Sequence, residues 1–342
     1  MAQGGRLVTS PVIEQAEQRC QADDWAGAID LLTEANRRER RDEIEIALAD
    51  IRHRSWSALT SGEGPQPDPS AVTPPIGPSG LPETSMAELD GANAWQAITD
   101  RGSVLVRDAL TDEQVARMIS LVDESFAASN SDPTDDDGWF HPLAMDEATA
   151  ERVGAAKLAF PRKFAKDAGG VLLVDSPRAL FELLELYQDL GLYEVVSDYL
   201  GGRPAISANK CTLRCVPLDA VGGWHQDGAF LGRDIKAINI WLTLTPCGVD
   251  APGLDVVAHR LDHIVETGTG GAYYDWAVGD RVVDQLGDVV RPRFGAGDMM
   301  IFDEMNLHRT AMSPQMTKPR YAIEFWCFSA ARYPDTNIML TW

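Results

Sequence analysis

The chain has 342 residues, of which 44% are hydrophobic and 24% are charged, and its formal net charge at pH 7 is −22. This length and composition are typical of a globular protein with a full core, and no apolar run approaches the ~20 residues of a membrane helix. The excess of acidic residues argues against nucleic-acid binding, which needs a basic surface. The first ten residues lack a secretory pattern and the five cysteines form no C-x-x-C pair, so we expect a cytoplasmic protein without a disulfide scaffold or a thiolate zinc site.

Residues 1–59 are predicted to form a helical hairpin. Apolar side chains recur at helical spacing from Trp25 to Ala35 and again from Ile44 to Ile51, with the polar segment 36–42 between them. A single hairpin of this kind, similar to one tetratricopeptide unit, cannot bury its apolar face alone. We therefore expect it to dock on the rest of the chain, and a separate protein partner is the alternative.

The segment 60–85 is rich in Pro, Gly and Ser and is predicted to be a linker. The main domain is then predicted to cover residues 86–342. It opens with a short strand at 103–106, and a capping box at Thr111 begins the next helix. Two further helices are predicted between Ser176 and Leu200, where a Gly-Gly pair ends the second one.

From residue 203 onward the chain consists of short β-rich runs separated by turns. Strands are predicted at 205–207, 212–216, 237–244, 253–257, 289–291, 299–302 and 321–328. This pattern is typical of an antiparallel sandwich or barrel, here preceded by helices. We therefore predict an α+β fold, mainly β, in which the strands form a jelly roll.

Three residues in this region form a candidate metal site. His225 and Asp227 are two positions apart and point the same way in an extended segment, or leave the turn that follows it together. His308 lies 83 positions further on, which is enough chain to bring it round from another strand. Two neutral imidazoles and one carboxylate suit Fe(II) and leave coordination positions for a co-substrate and O2. The alternative for a His-x-Asp pair is an ordinary pair of polar residues.

Arg320 is a candidate anion-binding residue. It lies 12 positions after His308 and opens the last predicted strand. A guanidinium at that place can make a bidentate contact with the carboxylate of an acid co-substrate. The alternative is a surface arginine at the start of a strand.

These motifs resemble those of the phytanoyl-CoA dioxygenase family of Fe(II)/2-oxoglutarate oxygenases. The segment Trp224-His225-Gln226-Asp227 is similar to the first metal motif of that family. The segment His308-Arg309-Thr310, with Arg320 downstream, is similar to its second histidine and its 2-oxoglutarate-binding arginine. The stretches 192–201 and 238–242 also resemble its helix before the barrel and its strand after the metal loop. The resemblance covers about residues 100 to 330, without the hairpin and the linker.

The resemblance implies a double-stranded β-helix (jelly roll) with flanking helices that oxidises a small or medium organic metabolite. O2 is the oxidant, and 2-oxoglutarate is converted to succinate and CO2. The residues implied to bind Fe(II) are His225, Asp227 and His308. The residues implied to contact or line the pocket of 2-oxoglutarate are Arg320, Thr310, Gln226 and Trp241. Halogenases of this superfamily lack the carboxylate ligand, so the retained Asp227 favours hydroxylation or a related C–H oxidation.

One segment departs from the family pattern. Family members often carry a Pro-Gly-Ser-His turn, whereas this chain has His259 and His263 in the sequence Ala258-His259-Arg260-Leu261-Asp262-His263. These histidines are either extra ligands or part of a differently shaped loop near the substrate entrance, and we favour the loop. Aromatic residues near the motifs suggest an apolar portion of the substrate: Trp224, Phe230, Trp241 and Trp326. Three arginines are candidates for meeting an anionic group: Arg214, Arg233 and Arg260.

Two other functions remain open on the sequence. The first alternative is a non-catalytic jelly-roll module that recruits a partner through its hairpin. The second is a hydrolase or isomerase that uses zinc or manganese at the same ligands, with Arg320 binding the substrate. The complete ligand set favours the oxygenase.

Overall fold

The computed structural model describes residues 10–59, 64, 67, 71–131, 138–218, 222–232 and 234–342. Between residues 10 and 59 the chain forms three helices, rather than the two of the predicted hairpin. They are α1 (Pro11–Gln21), α2 (Trp25–Arg38) and α3 (Asp42–Leu59). The additional break before α2 arises because the side chain of Asp24 accepts a hydrogen bond from the Gly27 N–H and caps the helix there.

Eight further helices lie in the rest of the described chain. They are α4 (Gly91–Arg101), α5 (Asp112–Ser129), α6 (Glu147–Val153), α7 (Ala159–Asp167), α8 (Pro177–Asp189), α9 (Leu192–Leu200), α10 (Gly228–Leu231) and α11 (Asp280–Leu286). The predicted capping box is confirmed: Thr111 and Gln114 each accept a backbone N–H of the other at the start of α5. The predicted end of α9 is also confirmed, because Gly201 adopts φ 79°, a left-handed conformation that favours glycine.

The strands are β1 (Glu83–Ser85), β2 (Ser103–Arg107), β3 (Gly170–Leu172), β4 (Ala205–Ser207), β5 (Thr212–Val216), β6 (Ala237–Thr243), β7 (Gly253–Val257), β8 (Val289–Val290), β9 (Met299–Phe302), β10 (His308–Ala311), β11 (Arg320–Phe328) and β12 (Met339–Thr341). All strands that the sequence pattern predicted are present, with ends shifted by no more than one residue. The strands that it did not predict are β1, β3, β10 and β12. Three of these, β1, β3 and β12, are only three residues long, and β3 and β12 are buried throughout without alternation.

The strands of the described chain form a large sheet of nine strands and a small sheet of three. The large sheet has the order β1-β2-β9-β6-β11-β4-β12, with β5 paired to β11 and β3 paired to β5. The small sheet has the order β10-β7-β8. All pairs are antiparallel except β1 with β2. The large sheet with its flanking helices agrees with the predicted mixed α and β class.

The first strand lies inside the segment predicted as a linker. Glu83 of β1 accepts hydrogen bonds from the guanidinium of Arg107 on β2, at 2.8 and 3.0 Å. This ion pair and the parallel pairing with β2 attach residues 83–85 to the large sheet. The sheet therefore begins before residue 86, where the main domain was predicted to start.

The N-terminal helices pack on the main part of the chain. Their shared cluster of buried side chains also contacts Phe181 of α8, and α3 packs against both α8 and β12. Arg178 of α8 pairs with Asp42 and Glu45 of α3, and His53 of α3 contacts the carbonyl oxygen of Met339 at 2.9 Å. The expected docking on the rest of the chain is therefore present in the structure.

The inner face of the large sheet points toward the small sheet. Register places Asn239 opposite Trp326 and Trp241 opposite Glu324, so these four side chains share one face. The ring of Phe302 on β9 lies 4.9 Å from that of His308 on β10, measured between centroids. The space between the two sheets therefore borders the predicted metal site. No helix in the described ranges is long and apolar enough to cross a membrane.

Candidate active site

His225, Asp227 and His308 come together in the structure. One possible ligand atom from each residue lies within 4.8 Å of the other two, and among the described residues this is the cluster that could hold a metal ion. The imidazole centroids are 4.4 Å apart, and Nε2 of His308 lies 3.8 Å from Oδ2 of Asp227. Two imidazoles and one carboxylate are thus gathered on one side of a common centre.

A pair of backbone hydrogen bonds holds the two histidines side by side. The N–H of His225 donates to the carbonyl of His308 at 2.9 Å, and the N–H of His308 donates in return at 3.0 Å. Asp227 follows at the start of the short helix α10, with φ −60° and ψ −30°. It therefore reaches the centre from a helical turn, the second of the two geometries that the sequence allowed.

Both imidazoles present the same nitrogen to the centre. Nδ1 of His225 lies 2.8 Å from the carbonyl oxygen of Gly223, and Nδ1 of His308 lies 3.1 Å from that of Asn306. A carbonyl can only accept, so each Nδ1 carries the proton and each Nε2 keeps a lone pair. This tautomer is the one that metal-binding histidines adopt when the other nitrogen is fixed by a carbonyl.

The electrostatic environment keeps the ligands in their metal-binding forms. Burial alone would raise the pKa of Asp227, but the charge of Lys210 and the two imidazoles lower that pKa to well below its usual range. Burial, with a smaller contribution from His225, lowers the pKa of His308 to about 4. At neutral pH the carboxylate is therefore charged and the His308 imidazole is neutral.

Lys210 is a residue of the site that the sequence did not indicate. Its Nζ donates to Oδ1 of Asp227, and it lies 5.4 Å from the centroid of the Trp326 ring. Oδ2 is the oxygen that faces His308. The lysine thus fixes one carboxylate oxygen and leaves the other directed toward the candidate metal position. No motif marks it, because it lies in the turn between β4 and β5.

Arg320 is buried and lacks an acidic partner in direct contact among the described residues. It is 1% exposed, and its Nη1 donates to the carbonyl oxygens of Gly253 at 2.9 Å and Pro252 at 3.2 Å. The guanidinium carbon lies 5.1 Å from the centroid of the Trp241 ring. Burial and the charge of Arg214 lower the pKa of Arg320 to about 10, so the guanidinium still carries its charge at neutral pH.

Two buried N–H donors at this place have no acceptor in the described part of the chain. One is Nε of the Arg320 guanidinium itself, and the other is Nε1 of the neighbouring Trp241. Buried donors are almost always hydrogen-bonded, so each of these two N–H groups could take an acceptor that the described residues do not supply. The predicted pocket residues Arg320 and Trp241 are therefore neighbours, and each has a buried N–H donor without an acceptor among the described residues.

Thr310 lies on the same strand as a predicted metal ligand. It is two positions after His308 on β10, so both side chains share one face of the strand. It packs closely against the turn before the first metal motif: a Cβ added at Gly222 would lie 3.0 Å from Cβ of Thr310. The bare Gly222 thus permits β10 to approach that turn.

Gln226 ties a neighbouring loop to the first metal motif. Its Nε2 donates to the carbonyls of His263 at 3.0 Å and Met305 at 2.9 Å, and its Oε1 accepts the N–H of Val265 at 2.7 Å. Both N–H bonds of the amide are therefore used by the backbone. That Gln226 also lines the pocket of the co-substrate stays a prediction.

The other polar residues singled out from the sequence lie outside the triad. His259 faces Asp288, with Nδ1 and Oδ2 3.5 Å apart, and neither His259 nor His263 belongs to the metal-binding cluster. Arg214 pairs with Glu324 at 2.7 Å, and Arg260 pairs with Asp303. Arg233 lies outside the described residues. The two described arginines that were candidates for a substrate anion thus already have carboxylate partners.

No protein-family model matches the chain, and no curated protein sequence matches it. Among solved structures, AviO1 from Streptomyces viridochromogenes Tue57 is 17% identical, with a TM-score of 0.44 over 72% of this chain and 98% of that chain. EctD from S. alaskensis, solved with 2-oxoglutarate and 5-hydroxyectoine, is 16% identical, with a TM-score of 0.48 over 79% of this chain and 84% of that chain. The non-heme alpha ketoglutarate dependent carbocyclase SnoK from nogalamycin biosynthesis is 12% identical, with a TM-score of 0.47 over 72% and 87%. Likenesses this remote carry no assignment of function.

Proposed function

We propose that the protein is an Fe(II)- and 2-oxoglutarate-dependent oxygenase of the double-stranded β-helix type, similar to the phytanoyl-CoA dioxygenase family. The single observation that carries the proposal is the pairing of two features. One is a triad of two Nε2 atoms and one carboxylate, and the other is a buried guanidinium with an orphaned N–H donor. A metal ion would bind to the triad, and a carboxylate of an acid co-substrate would accept a hydrogen bond from the guanidinium.

The donor set fits Fe(II). Two neutral imidazoles and one carboxylate form a 2-His-1-carboxylate site, which holds the metal on one face and leaves the opposite positions open. The three ligands are His225, Asp227 and His308. Zinc in a structural site would instead be enclosed by four protein ligands, and the described residues offer only these three at this centre.

The buried arginine fits the distal carboxylate of 2-oxoglutarate. A dicarboxylic oxo acid needs two binding points, a metal for the oxo acid end and a cation for the other end. Arg320 would hold the distal carboxylate, with the indole N–H of Trp241 as a further donor and the hydroxyl of Thr310 as a helper. A carboxylate at that place would give the orphaned Nε–H of Arg320 an acceptor.

The reaction that we propose converts a substrate C–H bond to C–OH. When bound, the metal and 2-oxoglutarate supply the activation of O2: R–H, 2-oxoglutarate and O2 give R–OH, succinate and CO2. The protein contributes positioning and a site from which bulk water is excluded. His225 and His308 hold their Nδ1 protons on backbone carbonyls throughout, and Lys210 keeps one oxygen of Asp227 occupied. The retained carboxylate favours hydroxylation or a related C–H oxidation over halogenation.

Succinate release tests the proposed reaction. The protein, loaded with Fe(II) and supplied with 2-oxoglutarate and O2, is incubated with a library of small metabolites. Succinate and product mass are then measured. We expect at least one compound to gain one oxygen atom in step with succinate formation. Asp227→Ala should lose both signals while remaining folded, and Arg281→Gln, at an exposed position, should keep them. A product formed without 2-oxoglutarate consumption would instead favour the hydrolase or isomerase alternative.

A further inference from the structure

A group of exposed aromatic side chains lies directly against one of the metal ligands. The imidazole of His225 is 6.0 Å from the ring of Phe230 and 5.9 Å from that of Trp276, measured between centroids. The rings of Phe230 and Trp276 are 5.8 Å apart. Phe230 is 49% exposed and Trp276 is 39% exposed, although both are large apolar residues. Such a patch on a protein with a well-filled core indicates a binding surface.

Trp276 is held in place by residues next to the first metal ligand. Val278 donates its N–H to the carbonyl of Trp224 at 2.8 Å, which bridges the loop to the metal motif. A Cβ added at Gly223 would lie 2.8 Å from Cβ of Ala277 and 3.2 Å from the Trp276 ring, so the bare glycine permits this close approach. Tyr274 stacks on Trp276, with ring centroids 5.0 Å apart and an interplanar angle of 9°. The orientation of the indole is therefore fixed by Tyr274 and by the close approach of residues 276–277 to Gly223.

Phe230 is fixed by the second metal ligand. It lies in α10, where its N–H donates to the carbonyl of Asp227 at 3.0 Å. Its position relative to the metal centre is thus set by the same turn that aims the carboxylate.

Ile264 adds a third exposed apolar side chain from another loop. It is 40% exposed, and its Cδ1 would lie 2.9 Å from a Cβ added at Gly228, the residue after Asp227. The hydrogen bonds of Gln226 to the backbone of His263 and Val265 hold this loop in place. Three segments thus each bring one apolar side chain to the metal motif: α10, the loop that contains Ile264 and the loop that contains Trp276. Residues 223–227 hold each of these segments in place.

We propose that Phe230 and Trp276 form an aromatic platform that binds a flat, uncharged ring of the substrate beside the candidate metal position. A flat ring stacks on a fixed indole with an offset face or an edge contact, which places one edge of the ring toward His225. The nearby ammonium of Lys210 is engaged by Asp227. The substrate class is therefore a neutral aromatic or conjugated cyclic compound, oxidised on the ring or on a carbon attached to it. The oxidation step rests on the proposed function, whereas binding of the ring does not.

Binding of 2-naphthol to the protein loaded with Zn(II) and 2-oxoglutarate tests the platform, because no oxidation occurs. Fluorescence anisotropy gives the affinity. We expect Trp276→Ala and Phe230→Ala each to weaken binding about tenfold, and Trp276→Phe to restore most of it. Tyr273→Ala is the matched control, since Tyr273 is 83% exposed and contacts Tyr274. It should change the affinity less than twofold. The saturated analogue decahydro-2-naphthol should compete poorly.

Two further measurements separate this inference from the proposed function. In the Mn(II)-loaded protein, the ring proton signals of 2-naphthol should broaden relative to the Zn(II) form, because the ring lies beside the metal. Equal affinity in the wild type and in both alanine variants would overturn the platform, and so would the absence of broadening in protein that has been shown to bind Mn(II). If the protein instead binds no metal or 2-oxoglutarate, but Trp276→Ala still weakens naphthol binding in the metal-free protein, the platform stands and the oxygenase proposal fails.

Discussion

Asp227 is the residue on which the electrostatics of the site converge. Its carboxylate is buried and faces Lys210 on one oxygen and His308 on the other. The positive charge of Lys210 stabilises this buried carboxylate in the metal-free protein, because burying a charge that has no partner is strongly unfavourable. A divalent cation bound at the proposed site would add a second and stronger partner.

Replacing Lys210 should therefore make the fold more dependent on metal. We expect Lys210→Met to destabilise the metal-free protein by about 2 kcal/mol, less than for a fully buried pair because the lysine is partly exposed. Added Zn(II) should then raise the melting temperature of the variant more than that of the wild type, since the metal replaces the missing charge. Thermal unfolding with and without Zn(II) measures this, with Lys318→Met as the exposed control. A smaller metal-induced rise in the variant would contradict this account of Lys210.

At the residue scale, the sequence indicated the ligands but not their supporting contacts. His225, Asp227, His308 and Arg320 stand out because their residue types and spacing match a known chemical need. Lys210 could not be identified in this way, because lysines are common in turns and its contact with Asp227 is visible only in the structure. The contacts of Gln226 with the loop around residues 263–265 could not be predicted, because its partners are backbone groups about 40 positions away in the sequence.

Helix α3 is the element that joins the N-terminal helices to the rest of the molecule. Its Glu45 is fully buried and contacts Arg178 of α8 at 3.0 Å, Asn36 of α2 at 3.1 Å and Arg40 at 3.4 Å. Burial raises the pKa of Glu45, and these partners oppose that rise. Much of the junction between α3 and α8 therefore rests on one buried carboxylate and the cations around it.

Replacing Arg178 alone should lower the free energy of unfolding more than replacing both Arg178 and Glu45. We expect Arg178→Met to destabilise the protein by about 3 kcal/mol, because it leaves Glu45 short of a partner. Adding Glu45→Gln to that variant should recover at least about 1 kcal/mol of the loss. Urea unfolding of the two single variants and the double variant measures the coupling. Strictly additive losses would show that the pair does not hold the helices together.

At the element scale, periodicity predicted several of the long elements, and it found the short strands β4, β8 and β9 but missed β1, β3 and β12. Helices α5, α8 and α9 and the strands β6 and β11 carry enough repeats for the pattern to be visible. Strands β3 and β12 have three residues each, and β1 lies within Pro-rich surroundings that suggest a linker. The separate helix α1 was merged with α2 because its break depends on one side-chain cap at Asp24.

The molecule as a whole is strongly acidic, yet its interior carries cations at the site. The net charge of −22 repels a dianion such as 2-oxoglutarate at long range, whereas the buried guanidinium of Arg320 attracts anions at short range. A second buried charge group lies near β9, where Asp303 pairs with Arg260 and Glu304 accepts the N–H of Ala237 at 3.0 Å. Burial and the neighbouring Asp303 raise the pKa of Glu304 to about 8.

The raised pKa of Glu304 makes stability fall as pH rises. In the folded protein this carboxyl keeps its proton up to about pH 8, whereas in the unfolded chain it loses the proton near its ordinary pKa. The contribution of Glu304 is thus fully present below that ordinary pKa and is lost as pH rises through the folded value. We expect Glu304→Gln to be more stable than the wild type at pH 8 by a margin that shrinks toward pH 5. Urea unfolding across this range measures the difference, and a margin that does not vary with pH would refute it.

The measurement that tests the central claim most directly is an anaerobic titration of the protein with Fe(II) and then 2-oxoglutarate, followed by visible absorption. We predict a new charge-transfer band that requires both additions. Arg320→Gln should need about a hundredfold more 2-oxoglutarate to develop the band, because a buried charge-assisted contact is lost. Arg281→Gln should titrate like the wild type. Folded, Fe(II)-loaded protein that shows no band at saturating 2-oxoglutarate would contradict the assignment of this site to a 2-oxoglutarate-dependent oxygenase.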